Sequence, residues 1–99
     1  MKTNETNKHC IYFAVNKDRQ LKEVLIYTSL NYGGYSLTLM QGGWINGSTG
    51  VLEEEPSYKM EIITDKTETE VLKLCKYIKK KCEQLEVYHH IEKIKLNVC

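Results

Sequence analysis

Alternating and continuous runs of apolar residues predict four β-strands along the chain. Residues 11–15 form a short, almost wholly apolar run that is typical of a central strand. Apolar and polar residues alternate over 35–45, 58–63 and 87–98, the period of a strand with one buried face. The alternation changes phase near Glu92 and Lys93, and we therefore expect a β-bulge there.

Two helices are predicted from apolar residues at three-and-four spacing. The first follows Asn16, Lys17 and Asp18, which are typical of a helix entry, and should end between Asn31 and Gly34. The second begins at a capping box, in which the Thr67 hydroxyl accepts a hydrogen bond from the third helical amide. Its apolar stripe comprises Val71, Leu74, Cys75, Ile78, Cys82 and Leu85.

The order strand, helix, strand, strand, helix, strand predicts an α+β domain with the ferredoxin-like split βαβ (βαββαβ) arrangement. Right-handed crossovers give an antiparallel sheet in the order 4-1-3-2, with both helices on one face. We expect residues 10–99 to form this single domain and residues 1–9 to be a disordered lead.

Composition and charge exclude several classes of protein. A chain of 99 residues with 41% hydrophobic residues holds one small core and no room for a multidomain enzyme. Fourteen Lys and Arg against thirteen Asp and Glu leave a formal charge of +1, unlike the basic domains that bind DNA. An RNA-recognition motif has the same element order, with Tyr12 as a stacking residue, but its glycine–aromatic signature is missing from the third strand.

Cysteine usage and the polar start of the chain predict a cytoplasmic protein, in a host cell if the gene is carried by a phage. No apolar signal-peptide core and no membrane-length apolar run are present, so no membrane partner is expected. The four cysteines contain no Cys-x-x-Cys pair and are expected to be reduced. Antiparallel first and last strands would place Cys10 near Cys99.

The chain contains no phosphate-binding loop and no known hydrolase or metalloprotease motif. His89 and His90 are expected on opposite faces of a strand, which prevents both from binding one metal ion. A nucleophile formed by Cys10 with His9 or a histidine of the last strand has no support from spacing. We therefore expect a protein without catalytic residues, metal ions or cofactors.

Two surfaces are candidates for binding. Residues 44–56 predict a connection of about twelve residues, well beyond the two to five of a tight hairpin, and long loops are often functional. Trp44 beside Gly42 and Gly43 would form a wall for a flat ligand, or would simply close the core. The open sheet face would carry a mixed set of residues, Tyr12, Ala14, Ser36, Thr38, Met40, Lys59, Glu61, Ile63, Lys95 and Asn97. Such a face is solvated or joins copies of the chain.

The element order resembles the PII-like and CutA-like group of small ferredoxin-like proteins over about residues 10–98. Residues 33–35 (Gly-Gly-Tyr), residues 42–44 (Gly-Gly-Trp) and Glu54 or Glu55 also resemble a pattern in short bacterial and phage proteins. The PII-like resemblance implies a trimer with nucleotides or other effectors bound between subunits. The last strand lacks arginine-rich phosphate contacts of the PII type, which sets this chain apart from PII proteins.

The leading hypothesis is a non-catalytic homo-oligomer, a trimer or dimer-based assembly, that binds a small anionic or nucleotide-like ligand. Small size and lysine-rich composition are similar in kind to phage counter-defence proteins that sequester nucleotide immune signals. One alternative is an inhibitor or adaptor that binds proteins through Tyr12 and Met40, and another is a small enzyme with Glu54 or Glu55 as general base. The predicted ligand-binding residues are Tyr32, Gly33, Gly34, Tyr35, Gln41, Gly42, Gly43, Trp44, Asn46 and Arg19.

Overall fold

The computed structural model describes residues 2–99. The strands are β1 (Lys2–Ala14), β2 (Ser36–Ile45), β3 (Leu52–Thr64) and β4 (Tyr88–Val98), and the helices are α1 (Asp18–Tyr32) and α2 (Glu68–Lys81). All strand pairs are antiparallel, and the strands lie in the order β2-β3-β1-β4. Read from the other edge, this is the predicted order 4-1-3-2, and the ferredoxin-like prediction is confirmed.

The core lies between the helices and one face of the sheet. β1 contributes Ile11 and Phe13, and β3 contributes Met60 and Ile62, at alternate positions that share a face. The helices cover these side chains with Val24, Val71, Leu74, Cys75, Ile78 and Cys82. The stripe predicted for the second helix is thus confirmed as far as Cys82.

The start of α2 and the end of α1 are capped close to the predicted positions. The Thr67 hydroxyl accepts a hydrogen bond from the Glu70 amide at the start of α2. Gly33 follows α1 with φ of 87°, a left-handed value that glycine adopts without a steric penalty. Leu85 differs from the prediction: α2 ends at Lys81, Glu83 has φ of 53°, and Leu85 is 90% exposed.

The first strand is much longer than its apolar run. Residues 2–9, predicted to belong to a disordered lead, are instead paired with β4, in a register that joins Lys2 to Val98 and His9 to Ile91. Backbone hydrogen bonds to a neighbouring strand, rather than apolar side chains, hold this polar segment in place. The prediction of disorder for residues 2–9 is therefore corrected, and Met1 lies outside the described residues.

The same pairing shows no bulge in β4. Successive residues of β4 from Tyr88 to Val98 pair one for one with β1, without an extra residue at Glu92 or Lys93. Parity therefore places Lys95 and Asn97 opposite the face to which they were assigned, with Ile94, Leu96 and Val98 on the open side. The phase change reflects a strand that extends past the helices, where no core demands a buried face.

Residues 44–56 form a hairpin rather than a long irregular loop. β2 and β3 pair continuously from Ser36 opposite Glu61 to Ile45 opposite Leu52. Pro56 is tolerated in this ladder because β1 pairs with β3 only as far as Ser57, which leaves the other edge of β3 free of hydrogen bonds from there on. The prediction of a twelve-residue connection was wrong, since alternation near Trp44 is masked by glycines and the acidic run.

Two ribbons project from opposite ends of the sheet. One is the outer half of β1 and β4, and the other is the outer half of β2 and β3, residues 41–56, which we call the β2–β3 ribbon. They stretch the molecule to 54 Å, against 23 and 22 Å across. Over residues 2–99, neither helix is long and apolar enough to cross a membrane.

Candidate functional site

The β2–β3 ribbon exposes an unusual amount of apolar surface. Ile45 and Leu52 are cross-strand partners near its tip and are 62% and 56% exposed, and Val51 beside them is 57% exposed. Trp44, which precedes Ile45 on β2, is 47% exposed. A two-stranded ribbon has little stability of its own, and contiguous exposed apolar side chains usually mark a contact surface. The apolar side chains of the ribbon would therefore be stabilised by contact with another molecule.

The turn at the tip is held by Asn46. Its amide nitrogen donates to the Glu53 carboxylate over 3.2 Å, and its side-chain oxygen accepts from the Ser48 amide over 2.9 Å. The backbone NH groups of Thr49 and Gly50 donate to the Asn46 carbonyl. These bonds satisfy the polar groups of Asn46 locally, so this residue orders the ribbon.

Gly42 and Gly43 lie close to atoms of β3 in the middle of the ribbon. A Cβ on Gly42 would lie 3.3 Å from the Ser57 hydroxyl, and a Cβ on Gly43 would lie 3.4 Å from the Glu53 carbonyl oxygen. Pairing of β2 with β3 is continuous through both glycines, so the ribbon has no bulge at Gly42 or Gly43. Next to these glycines, Gln41 donates to the Glu54 carboxylate over 2.7 Å.

A groove of about 800 Å³ separates the ribbon from the loop before β4. Trp44 and Tyr88 both line it, and Tyr88 is 62% exposed. We call this the Trp44 groove; its lining comprises Asn16, Gly43, Trp44, Glu55, Glu83, Gln84, Leu85, Glu86 and Tyr88. The lining combines two aromatic rings with three carboxylates, and among the side chains that the structure describes it includes no lysine or arginine.

A second, smaller cavity of about 500 Å³ runs along the ribbon itself. Its lining comprises Leu39, Met40, Gln41, Glu54, Glu55 and Pro56. Glu55 lines both cavities, so its carboxylate lies at the junction of the ribbon surface with the Trp44 groove.

The sequence-predicted binding residues fall into separate groups. Gln41, Gly42, Gly43, Trp44 and Asn46 lie on the β2–β3 ribbon, whereas Tyr32, Gly33, Gly34 and Tyr35 lie at the other end of β2. Tyr35 and Trp44 are nine positions apart in the chain, which corresponds to roughly 30 Å at about 3.3 Å per residue in an extended strand. One small ligand on a single chain therefore contacts only one of these two groups.

At the far end of β2, Tyr32 is held by helix contacts. Its hydroxyl donates to the Glu70 carbonyl over 2.9 Å, and the Lys66 ammonium lies 4.8 Å from its ring centre. Burial raises the pKa of Tyr32. Arg19 belongs to neither group, because it lies in the first turn of α1 near the ion pair of Glu23 with Lys81.

The open face of the sheet carries a charged network. The Lys8 ammonium lies 3.4 Å from the Glu61 carboxylate and 3.3 Å from that of Glu92, and Lys59 lies 3.4 Å from Glu61. Tyr12 stacks against the His90 ring on the same face, with ring centres 5.5 Å apart. This arrangement makes the face more polar than the mixed apolar surface expected from alternation.

Cys10 lies within this network and is fully buried. Its thiol donates to Glu92 over 3.3 Å, and burial together with this carboxylate raises the pKa of Cys10 to about 11. The bonds from Cys10 and Lys8 lower the pKa of Glu92. Cys10 is therefore a protonated thiol at neutral pH and has no activated-nucleophile character. Cys99 lies beyond Val98 at the far end of β4, so the predicted proximity of Cys10 and Cys99 was wrong.

On the opposite face, the buried His9 pairs with the half-buried His89. His9 Nδ1 and His89 Nε2 are 2.9 Å apart, the rings stack with centres 5.2 Å apart, and one nitrogen donates its proton to the other. His9 Nε2 has no hydrogen-bond partner among the described residues. Burial lowers the pKa of both imidazoles, so the pair is neutral in the folded protein.

We expect the free energy of unfolding to fall as the pH drops below the ordinary histidine pKa of 6.5. The unfolded chain takes up protons on His9 and His89 at a pH where the folded chain does not, so stability present above pH 6.5 is lost as the pH falls. The slope reaches up to about 2.7 kcal/mol per pH unit if both groups contribute. Urea unfolding between pH 7.5 and 5 measures it.

A double change of His9 and His89 to leucine should flatten this pH dependence, and His90→Gln on the other face should retain most of it, because the charge of His90 is the smallest of the three causes that shift the pKa of His89. A slope equal to wild type in the double variant would contradict the assignment to the His9–His89 pair.

Two groups of residues were missed by sequence reasoning. Tyr88 joins Trp44 only through the pairing that places the start of β4 beside the end of β1. Cys10, His90 and Glu92 come together through the same pairing, although Cys10 lies 82 residues from Glu92 in the chain. The placement of His89 and His90 on opposite faces was predicted and is confirmed.

The fold is similar to that of several solved structures. A phage SAM lyase in complex with S-methyl-5′-thioadenosine gives a TM-score of 0.68 at 16% identity, over 94% of this chain and 90% of that chain. CutA from Synechococcus elongatus gives a TM-score of 0.65 at 12% identity, over 94% and 82%. The GlnK–ATP complex of B. subtilis gives a TM-score of 0.65 at 11% identity, over 91% and 82%.

At these identities the likeness establishes the fold alone. The chain is a protein with the ferredoxin-like fold of the PII-like and CutA proteins, a fold that it shares with the phage lyase. No family profile matches the chain, and comparison with curated proteins finds no similar sequence.

Proposed function

We propose that this protein is a homo-oligomer that binds an adenine nucleoside in the Trp44 groove. The observation that carries the proposal is the lining of that groove, where the exposed rings of Trp44 and Tyr88 lie on one cavity. Aromatic rings offer stacking surfaces for a flat base. Two proteins of similar fold were solved with adenine compounds, S-methyl-5′-thioadenosine and ATP.

The charge of the groove favours a particular kind of nucleoside. Glu55, Glu83 and Glu86 line it, whereas no cationic side chain of the described part of the chain does. A triphosphate would be repelled at this site, and an uncharged or cationic substituent would not. This supports a ligand that is nucleoside-like rather than strongly anionic, which narrows the class expected from the sequence.

Oligomerisation is supported by the β2–β3 ribbon. Ile45, Val51 and Leu52 gain burial only if another chain covers them. Contact between copies would also explain how Tyr35 and its neighbours act with the ribbon residues, since the two groups lie roughly 30 Å apart on one chain. A complete site would then contain one group from each of two copies.

The test uses the intrinsic fluorescence of Trp44, the single tryptophan of the chain. Titration with adenosine or S-methyl-5′-thioadenosine should quench its emission, and ATP should bind at least tenfold more weakly. Tyr88→Ala should weaken binding about three- to tenfold, because one ring of a stacked arrangement contributes about 0.5–1.5 kcal/mol. Leu30→Ala, an exposed residue of α1 outside the groove, is the matched control.

Emission that ignores the nucleosides would overturn the proposal. A cyclic dinucleotide belongs in the same titration, since sequestration of a nucleotide immune signal was predicted from the sequence. Binding of that compound in preference to adenosine would replace the nucleoside with the signal as ligand.

A second candidate function is cleavage of S-adenosylmethionine. The observation that favours it is Glu55, a carboxylate that lines the Trp44 groove opposite Gly42, where no side chain stands across the ladder. S-adenosylmethionine is a sulfonium, and a phage lyase acting on it has a similar fold. Release of S-methyl-5′-thioadenosine, followed by chromatography, tests it.

In this candidate, the double change of Glu54 and Glu55 to glutamine should abolish release, and Glu53→Gln at the ribbon tip should leave it unchanged. Activity that survives the double change, or no release from the wild type, would end this candidate without affecting nucleoside binding.

The protein–protein alternative from the sequence has less support. Tyr12 is stacked on His90 and lies beside the Lys59 ammonium, so it is engaged within the sheet. Changing Tyr12 and Met40 to charged residues should leave nucleoside binding unchanged if the Trp44 groove is the site.

A further inference from the structure

A thiol, an imidazole and a carboxylate converge on the open face of the sheet. The ligand atoms of Cys10, His90 and Glu92 all lie within 4.8 Å of one another. Cys10 and His90 are direct partners in the β1–β4 ladder, and Glu92 follows two residues later on the same face. The backbone of two paired strands therefore holds the three side chains together, rather than a mobile loop.

Two of the three separations between these atoms lie within the range of the edges of a metal tetrahedron, and the third is at most 4.8 Å. Zn²⁺ binds sulfur at about 2.3 Å and nitrogen or oxygen at about 2.0–2.2 Å, which places neighbouring ligand atoms about 3.3–3.8 Å apart. Cys10 Sγ lies 3.3 Å from Glu92 Oε2, and His90 Nε2 lies 3.7 Å from the same oxygen. We propose that Cys10, His90 and Glu92 bind a divalent transition-metal ion, best Zn²⁺, with the fourth position open to water.

The three ligands of this site differ in their exposure to solvent. Cys10 is fully buried beneath the face, whereas the side chains of His90 and Glu92 are 47% and 45% exposed. An ion enters from the solvent side, meets the imidazole and carboxylate first, and displaces the thiol proton to reach sulfur. Tyr12 stacks on the His90 ring and restricts its orientation.

The Lys8 ammonium competes with the metal ion for the Glu92 carboxylate. Its ammonium lies 3.3 Å from Glu92 Oε2, the oxygen nearest both other ligand atoms. Because Lys8 also lies 3.4 Å from Glu61, it keeps one carboxylate partner when the metal takes Glu92. Metal binding must therefore break the Lys8–Glu92 ion pair, and removal of the ammonium should strengthen metal binding.

This site does not depend on the proposed nucleoside binding. None of its three residues lines the Trp44 groove, and the two can be tested separately. It also departs from the expectation of a metal-free protein. The sequence did not reveal the site, because Cys10 lies 80 or more residues from both His90 and Glu92.

Cobalt titration of the reduced full-length protein tests the proposal. Co²⁺ should bind at one equivalent per chain and produce a thiolate-to-cobalt charge-transfer band with the visible spectrum of a four-coordinate ion, and Zn²⁺ should abolish both. Absence of the charge-transfer band would overturn the proposal.

Variants then assign the ligands. Cys10→Ser should remove the charge-transfer band, and Cys99→Ser, the matched change at an exposed cysteine, should retain it. The side chains changed in His90→Gln and Glu92→Gln are 47% and 45% exposed, and each change should weaken Zn²⁺ binding at least about tenfold. Lys8→Met should tighten it. A band that survives Cys10→Ser, or unchanged affinity in both glutamine variants, would overturn the assignment.

Discussion

Changing Leu52 to glutamate is expected to separate the proposed oligomer into monomers. Leu52 is 56% exposed at the tip of the β2–β3 ribbon and faces Ile45 across the ladder. Full burial of a leucine contributes about 1.5–3 kcal/mol, and a glutamate at a buried contact adds a desolvation cost. The dissociation constant should therefore rise roughly a hundredfold or more, since each 1.4 kcal/mol is about a factor of ten.

Native mass spectrometry and sedimentation over a range of concentrations measure this change. Leu30→Glu is the matched control, because Leu30 is 81% exposed on α1 and lies outside the ribbon. Equal assembly of the Leu52→Glu variant and the wild type would show that the ribbon is not the contact. A wild-type protein that is monomeric at micromolar concentration would refute oligomerisation itself.

Changing Leu74 to alanine is expected to reduce the free energy of unfolding by about 3 kcal/mol, within the 2–5 kcal/mol range for a buried leucine. Leu74 is fully buried between α2 and the sheet, where it packs with the apolar residues of β1 and β3. A domain of this size has a total stability of roughly 5–15 kcal/mol, so the loss is a large fraction of it.

Urea unfolding at one fixed protein concentration measures the effect, because assembly of copies would make apparent stability depend on concentration. Leu72→Ala lies in the same helix at a 39% exposed position and should change stability by less than about 1 kcal/mol. A loss below about 1 kcal/mol for Leu74→Ala would contradict the packing described for α2.

The candidate site was predictable only in part. Trp44 and the glycines beside it were recognised because glycine lets backbone amides approach a flat ligand and an indole offers a stacking face. Trp44 and Gly43 line the Trp44 groove, and Gly42 adjoins it. Tyr88 carried no local signal, since a tyrosine in an apolar strand is ordinary. Its position across the groove depends on which residue of β1 it pairs with, Tyr12, and no short window of sequence contains both.

The disordered lead and the bulge failed for one common reason. Both were inferred from side-chain patterns, and both lie where the strands extend past the helices. Polar residues such as Asn7 can pair by their backbones with no apolar side chain to signal it, here with Thr64 on one side and Lys93 on the other. A hydrophobic pattern reports burial, so it is silent about strands that are paired but not covered.

By itself, the sequence determined the order of elements, the helix ends at Thr67 and Gly33, the sheet order and the core. These follow from local spacing, capping chemistry and the handedness of crossovers, which act over a few residues or apply to every such fold. Only the tertiary structure decided the length of the ribbons and the meeting of Cys10 with His90 and Glu92. Register between distant strands sets both, and it is fixed by the ladder as a whole rather than by any segment.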